Sequence, residues 1–278
     1  MNSPTMQKFA IIGFPLTHSR SPQIHNYAFK ELHLKAVYEK LEIQPASFRE
    51  QIPFLKKADF SGFNVTIPYK QQIIPFLDRL DPLAQRIGAV NTIQVIEKGV
   101  WKGYNTDYLG FLKPLQPYSK DLKTCLVIGA GGAARAVAFA LVHSLPVREL
   151  TLANRNIERA EDLKRELIRF KAINYKTVTL DFRVHRPFDL IVNCTPLGMS
   201  GQSQKIPVDI HGKIKPETIV YDLIYDPPLT DFLKSARGLG LKTFNGWPML
   251  IYQAEAAFRI WMGRDFPEAL FHTFIQKS

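Results

Sequence analysis

The chain has 278 residues, 46% of them hydrophobic, which is ample for two cores, and it carries no internal repeat or low-complexity tract. Its formal charge of +11 is scattered over Lys56-Lys57, Arg155 to Arg169 and Lys213-Lys215 without a nucleic-acid motif, which argues against nucleic acid and for a solvated surface that attracts anionic metabolites. The longest nearly apolar stretch, Leu126 to Val142, is too short for a membrane span and contains Arg135, while Cys125 and Cys194 lack His or Cys at ligand spacing, so neither membrane insertion, metal nor disulfide is expected.

Phe9-Ala10-Ile11-Ile12 opens the chain as a strand, and as an apolar run it is too short for a secretory signal, so a cytoplasmic protein is expected. Strand-like runs at Val37 to Leu41 and Gly62 to Thr66 follow, alternating with helical stretches near 22–33, 45–57 and 71–80 in a β-α-β series. Val90 to Val95 and Val100 to Tyr104 flank a glycine-containing turn and read as a hairpin closing this layer, after which a helix near 106–116 leads out. Pro114, Pro117 and Ser119-Lys120-Asp121 mark a boundary. Beyond it come strands near 123–128, 149–153, 176–180, 188–193 and 218–222. The segment from Met249 to Gln276 is helical and amphipathic, with Leu250, Ala254, Ala257, Ile260 and Trp261 near one face. The expected class is α/β: an N-terminal open α/β substrate domain (1–108), a doubly wound Rossmann-type dinucleotide-binding domain (109–246), and C-terminal helices (247–278) returning to the first domain.

Within the second domain, Gly129-Ala130-Gly131-Gly132-Ala133-Ala134 follows the strand Thr124 to Ile128 and opens an alanine-rich helix. Gly129 permits the tight turn, Gly131 lets backbone approach a pyrophosphate, Ala134 allows close packing of helix on strand, and the free N–H groups of the helix start face the anion. At the end of the next strand stand Asn154 and Arg155 instead of the carboxylate that grips the ribose of NAD. A guanidinium suits a ribose 2′-phosphate, so NADP is favoured. Arg159 either adds a second cation or is an ordinary surface arginine.

Polar clusters occur where open α/β sheets place ligands: Ser19-Arg20-Ser21-Pro22, Asn64-Val65-Thr66 running to Lys70, Gly88-Ala89-Val90-Asn91-Thr92, Gly103-Tyr104-Asn105-Thr106-Asp107, and Met249-Leu250-Ile251-Tyr252-Gln253. In this order around the glycine turn, they closely resemble the shikimate dehydrogenase family. The resemblance implies NADP-linked interconversion of 3-dehydroshikimate and shikimate in aromatic amino acid (chorismate) biosynthesis, with a small-molecule substrate, no nucleic-acid or membrane partner, and a monomer or homodimer. It further implies that Ser19 and Ser21 bind the substrate carboxylate, although Ser21 before Pro22 is also a good helix cap. Lys70 matches the catalytic lysine and Asp107 its partner. Hydride reduction of a ketone leaves an alkoxide that needs a proton and charge stabilisation, and proton transfer is assigned to this pair without choosing a carrier.

Thr66, Asn91 and Gln253 match positions that hydrogen-bond the substrate, with strand-end hydrogen bonding an alternative for the first two. Tyr225 matches a tyrosine lining the substrate site, and Leu223 and Gly246 match cofactor-facing positions, Gly246 near the nicotinamide. Asn193 to Met199 fits a turn beside the cofactor. Three departures stand out: Asn156 where threonine is usual, Asn245, and the pair Trp247-Pro248, which stiffens its loop. Alternatives are a quinate/shikimate dehydrogenase using NAD or both cofactors, and a non-catalytic metabolite sensor.

Overall fold

The computed structural model describes residues 6–275 apart from Phe182, His185, Gln202 and Gln204. Gln276, the expected end of the last helix, and the outermost residues of the expected domains lie outside them. The chain divides into two compact units, one running up to Asp107 and resuming at Ile251, the other running from Tyr108 to Leu250.

In the first unit, β1 (Gln7–Gly13), α1 (Ser21–Glu31), β2 (Ala36–Glu42), α2 (Phe48–Lys57) and β3 (Gly62–Val65) form the β-α-β series, with β1 parallel to both β2 and β3. β4 (Arg79–Leu80) and α3 (Pro82–Ile87) precede the hairpin of β5 (Thr92–Glu97) and β6 (Val100–Tyr104). The sheet order is β2-β1-β3-β5-β6-β4. Because β5 runs antiparallel to β3, the sheet is mixed. Its core gathers Ala10, Ile12, Phe48, Ile52, Phe63, Val65, Ile93 and Trp101, alternate inward residues of the strands and the apolar face of α2.

The helix expected over 71–80 is absent. Pro75 lies in a single 3-10 turn, Ile74–Phe76, because proline lacks the N–H that a continuing helix needs, and Arg79–Leu80 then extend to pair with β6.

The second unit opens with α4 (Asp107–Leu115), whose first residue closes the first unit, and continues as β7 (Thr124–Ile128), α5 (Gly132–Ser144), β8 (Glu149–Ala153), α6 (Ile157–Ile168), β9 (Asn174–Val178), β10 (Leu190–Asn193), β11 (Ile219–Asp222), α7 (Asp231–Gly238) and β12 (Lys242–Phe244). All pairings are parallel in the order β12-β11-β10-β7-β8-β9, the doubly wound arrangement with its switch point between β7 and β10. β7, β10 and β11 are nearly continuous apolar runs, as strands covered on both faces must be.

The last segment forms two helices, α8 (Trp247–Met262) and α9 (Glu268–Ile275), divided near Gly263, whose φ is +63°, and Pro267. The buried stripe of α8 is Ile251, Ala254, Ala257 and Phe258. Leu250, Ile260 and Trp261, expected on that face, are only half-buried. No helix among the described residues is long and apolar enough to cross a membrane, and none of their His, Cys, Asp and Glu side chains cluster in threes suited to a metal.

Candidate functional site

Strand register assembles the polar site of the first unit. Asn64 of β3 lies opposite Thr92 of β5, and Thr92 lies opposite Tyr104 of β6. The residues just beyond these pairs, Thr66 to Lys70, Asn91, and Asn105 to Asp107, therefore meet at one end of the sheet. Backbone bonds fix the junction: Val90 N donates to the Lys70 carbonyl at 2.7 Å, and Asn91 N to the Tyr104 carbonyl at 3.1 Å.

There Lys70 Nζ lies 2.6 Å from Asp107 Oδ2, with the two side chains only 13% and 5% exposed. The other carboxylate oxygen, Oδ1, accepts from Asn91 Nδ2 at 2.9 Å. The same amide nitrogen faces Thr106 Oγ1 at 2.9 Å and Gln253 Oε1 of α8 at 3.2 Å. Thr106 N donates to Asn91 Oδ1 at 2.7 Å, and since a backbone N–H can only donate, the orientation of the Asn91 amide is settled. Lys70, Asn91, Asp107 and Gln253, singled out from the sequence, thus form one constellation. Asn91 does more than end a strand.

Ser19 and Ser21 sit where β1 gives way to α1. Ser19 is half-buried, its N–H donating to the Leu16 carbonyl at 3.1 Å. The capping alternative for Ser21 does not hold, because Ser21 is the first helical residue, Arg20 occupies the cap position, and no side chain caps the helix. Ser21 is buried with the Tyr38 hydroxyl as its polar neighbour. Thr66 is half-buried just past β3, and its N–H donates to the Ile12 carbonyl at 2.9 Å.

In the second unit the glycine turn follows β7 directly. Gly129 has φ +112°, and a Cβ there would lie 3.3 Å from the Cys194 carbonyl carbon and the Thr195 methyl, so only glycine fits. Ala130 is buried, Gly131 caps α5, and Gly132 and Ala133 begin the helix with no side-chain cap on its free N–H groups. A methyl built on Gly131 meets nothing within 4 Å, leaving open space beside the helix start for an anionic group. Beyond β8, Asn154 Nδ2 donates to the Asn156 carbonyl at 2.7 Å, and Asn156 caps α6 through Arg159 N. Arg155 and Arg159 are exposed, with no ion pair among the described residues. These features fit a dinucleotide bearing an additional phosphate.

At the end of β11, Leu223 N donates to the Asn193 carbonyl at 3.0 Å. A Cβ on Gly246 would fall 2.1 Å from the Leu223 carbonyl oxygen, so this position admits no side chain. Tyr225 packs against Trp247 at 5.7 Å between ring centroids, and Asn245 Oδ1 accepts from Trp247 N at 3.1 Å. The departures Asn245 and Trp247 thus brace the loop carrying Gly246.

One buried group here escaped sequence reasoning. Asp222 accepts from Thr230 Oγ1 at 2.7 Å, Asn193 Nδ2 at 3.0 Å and Ile224 N at 3.1 Å, tying together the loops after β10 and β11. Burial pushes its carboxyl up to about 6 despite those bonds. Its sequence signal was an acid in an otherwise apolar strand. In the first unit Tyr38, Asn64, Thr92 and Thr106 were likewise missed as a buried set, although three of them lie in the polar clusters that drew attention.

Family models match three parts of the chain: the shikimate dehydrogenase substrate binding domain over residues 11–93, shikimate / quinate 5-dehydrogenase over 115–197, and the shikimate 5′-dehydrogenase C-terminal domain over 246–272. A relative from Halothermothrix orenii, described as shikimate dehydrogenase (NADP(+)), is 43% identical over 265 residues, covering 92% of this chain and 91% of that one. The structure of shikimate 5-dehydrogenase from Thermus thermophilus in complex with NADP(H) and shikimate is 35% identical with a TM-score of 0.79, covering 96% of this chain and 98% of the other. The ligand-free 5-ketofructose reductase of Gluconobacter sp. strain CHM43 matches at 27% identity and a TM-score of 0.85, covering 99% of each. With that identity to the Halothermothrix relative extending over nearly the whole of both sequences, the chain belongs to the shikimate dehydrogenase family.

Proposed function

We propose that the protein is an NADP-dependent shikimate dehydrogenase that interconverts 3-dehydroshikimate and shikimate. The observation that carries this reading is the 2.6 Å Lys70–Asp107 pair, nearly buried and held from its far side by Asn91, at the positions where the family resemblance puts its catalytic pair. The nicotinamide, when bound, supplies or accepts the hydride. Lys70 and Asp107 pass the proton to or from the oxygen on the carbon that gains or loses hydride, and the ammonium stabilises negative charge there. Ser19 and Ser21 hold the carboxylate, while Thr66, Asn91 and Gln253 hydrogen-bond the substrate hydroxyls or carboxylate, each able to donate and accept. Tyr225 lines the substrate site. The turn from Gly129 to Ala133 receives the pyrophosphate, Asn154, Arg155 and Arg159 the 2′-phosphate, and backbone at Leu223 and Gly246 the nicotinamide end. The unit assignments of the sequence reading, 1–108 with 247–278 for substrate and 109–246 for cofactor, carry over to this proposal, as does a cytoplasmic location.

A second reading is turnover of quinate or use of NAD. It is favoured by Asn156 in place of threonine beside Arg155, and by the match of residues 115–197 to a family model named for quinate as well as shikimate. Steady-state assays of shikimate and quinate against NADP and NAD separate the two. Shikimate with NADP should be at least tenfold better than any other combination, and Lys70→Ala should lower kcat by about 10²- to 10⁴-fold with little change in KM. Undiminished turnover in that variant overturns the proton-transfer role, and absence of shikimate oxidation overturns the function.

A further inference from the structure

Behind the Lys70–Asp107 pair and Asn91 lies a relay of buried polar side chains, Tyr38, Asn64, Thr92 and Thr106, that the chemistry above does not use. Tyr38 of β2 donates from its hydroxyl to Asn64 Oδ1 at 2.7 Å. That turns the Asn64 amide nitrogen toward β5, where it donates to the Asn91 carbonyl at 3.0 Å and to Thr92 Oγ1 at 3.1 Å. Having accepted from Asn64, the Thr92 hydroxyl has its own hydrogen free for Asn91 Oδ1 at 3.2 Å or Thr106 Oγ1 at 3.1 Å. The Asn91 carboxamide therefore has its oxygen held by Thr106 N at 2.7 Å, with the Thr92 and Thr106 hydroxyls each 3.2 Å from the same oxygen, and its nitrogen is aimed at Asp107 on the other side. Tyr38, Asn64, Asn91, Thr92 and Thr106 are all buried.

Such a cluster is an expensive way to fill space. Every buried donor or acceptor left unpaired costs about 1–3 kcal/mol, whereas aliphatic side chains at a strand pair carry no such liability. What a polar relay supplies and an aliphatic cluster cannot is direction. Asn91 has a nearly symmetric amide that can rotate about χ2, and Asp107, as the first residue of α4, has more than one carboxylate orientation open to it. With the Asn91 oxygen fixed, its N–H must meet Asp107 Oδ1, which leaves Oδ2 for Lys70.

We propose that Thr92, with Asn64 and Tyr38 behind it, is a positioning residue for the Lys70–Asp107 pair, its hydroxyl bracing, directly or through the Thr106 hydroxyl, the Asn91 amide that Thr106 N orients. The inference rests on the proposed proton-transfer role of that pair. A slight misplacement of reacting groups costs large factors in rate while substrate affinity is retained, so the effect belongs in kcat.

Thr92→Val keeps the shape and removes the hydroxyl, whereas Thr92→Ser keeps the hydroxyl and removes the methyl. Steady-state kinetics should show Thr92→Val lowering kcat about tenfold with KM for shikimate within twofold, and Thr92→Ser staying within threefold of the parent kcat. A packing role predicts the reverse order, because serine leaves a void and valine fills it. Tyr38→Phe, which keeps the ring, should lower kcat severalfold in the same direction, and it decides the matter if Thr92→Val fails to fold. Parental kcat in Thr92→Val or, failing that variant, in Tyr38→Phe overturns the proposal, as does a Thr92→Ser enzyme slower than Thr92→Val. Lys70→Ala assayed alongside distinguishes the failures: if it is inactive and Thr92→Val is normal, only the relay is wrong, whereas if it turns over normally the proton-transfer role itself is wrong.

Discussion

His25 should make the first unit acid-sensitive. It is wholly buried in α1, stacked on Tyr38 at 4.5 Å and surrounded by Phe29, Phe258, Trp261 and Phe266. Asn64 is its polar neighbour, yet neither ring nitrogen makes a hydrogen bond. Burial lowers its pKa from 6.5 to about 3. Between those values the unfolded chain binds a proton that the folded chain refuses, so stability falls as pH drops below 6.5 and levels off only below about 3. Going from pH 8 to pH 5, this single group costs the folded state about 2 kcal/mol. His25→Leu is of similar size and cannot take up a proton. Urea unfolding, followed by intrinsic fluorescence at the two pH values, measures the term as the difference between the two proteins' pH dependences. The variant should lose about 2 kcal/mol less than the parent on acidification, whatever its stability at pH 8. Parallel losses in the two proteins would refute the reasoning.

Asp222 should act with the opposite sign. Its carboxyl, raised from 3.8 to about 6 by burial, holds a proton that the unfolded chain has released, so its contribution is greatest below 3.8 and is lost as pH rises through about 6. Asp222→Asn should remove that slope, worth about 3 kcal/mol across the window, and an unchanged slope in urea titrations between pH 4 and 7 would count against it. Arg155→Ala should raise KM for NADP roughly 10- to 150-fold, the value of a charge-assisted contact of about 1.5–3 kcal/mol, while leaving KM for NAD nearly as it was. Equal effects on the two cofactors would place Arg155 away from the 2′-phosphate.

Much of the fold is legible because parallel strands covered on both faces read as unbroken apolar runs, as Leu126-Val127-Ile128 and Leu190-Ile191-Val192 do. The misread stretch 71–80 shows where spacing deceives: Ile73, Ile74, Phe76, Leu77 and Leu80 imitate a helical stripe, but they pack from turns and a strand around Pro75. β4 and β12, two and three residues long, are too short to leave a pattern. The glycine turn after β7 was legible because its requirement falls on glycine itself, through positive φ at Gly129. The relay behind Asn91 was not, since its partners are set by cross-strand register, and no spacing within one segment encodes which way an amide points.

The two units meet opposite physical demands. On the proposed function, the turn after β7 would face a polyanion, for which free helix N–H groups and exposed guanidiniums suffice, because charge attraction is long-ranged and tolerant of small displacements. The end of the first sheet holds the Lys70 and Asp107 side chains in one close contact, and exposed groups there would hold many conformations. Burial removes that freedom but penalises every unpaired polar atom. The solution is closure of the hydrogen-bond circuit: Tyr38, Asn64, Thr92, Thr106 and Asn91 satisfy one another and end on Asp107. His25 stacks on Tyr38 in this cluster with neither ring nitrogen bonded, so protonation would place an unpaired buried cation beside the circuit. Acid should therefore weaken the unit at the same place where the Lys70–Asp107 pair is anchored.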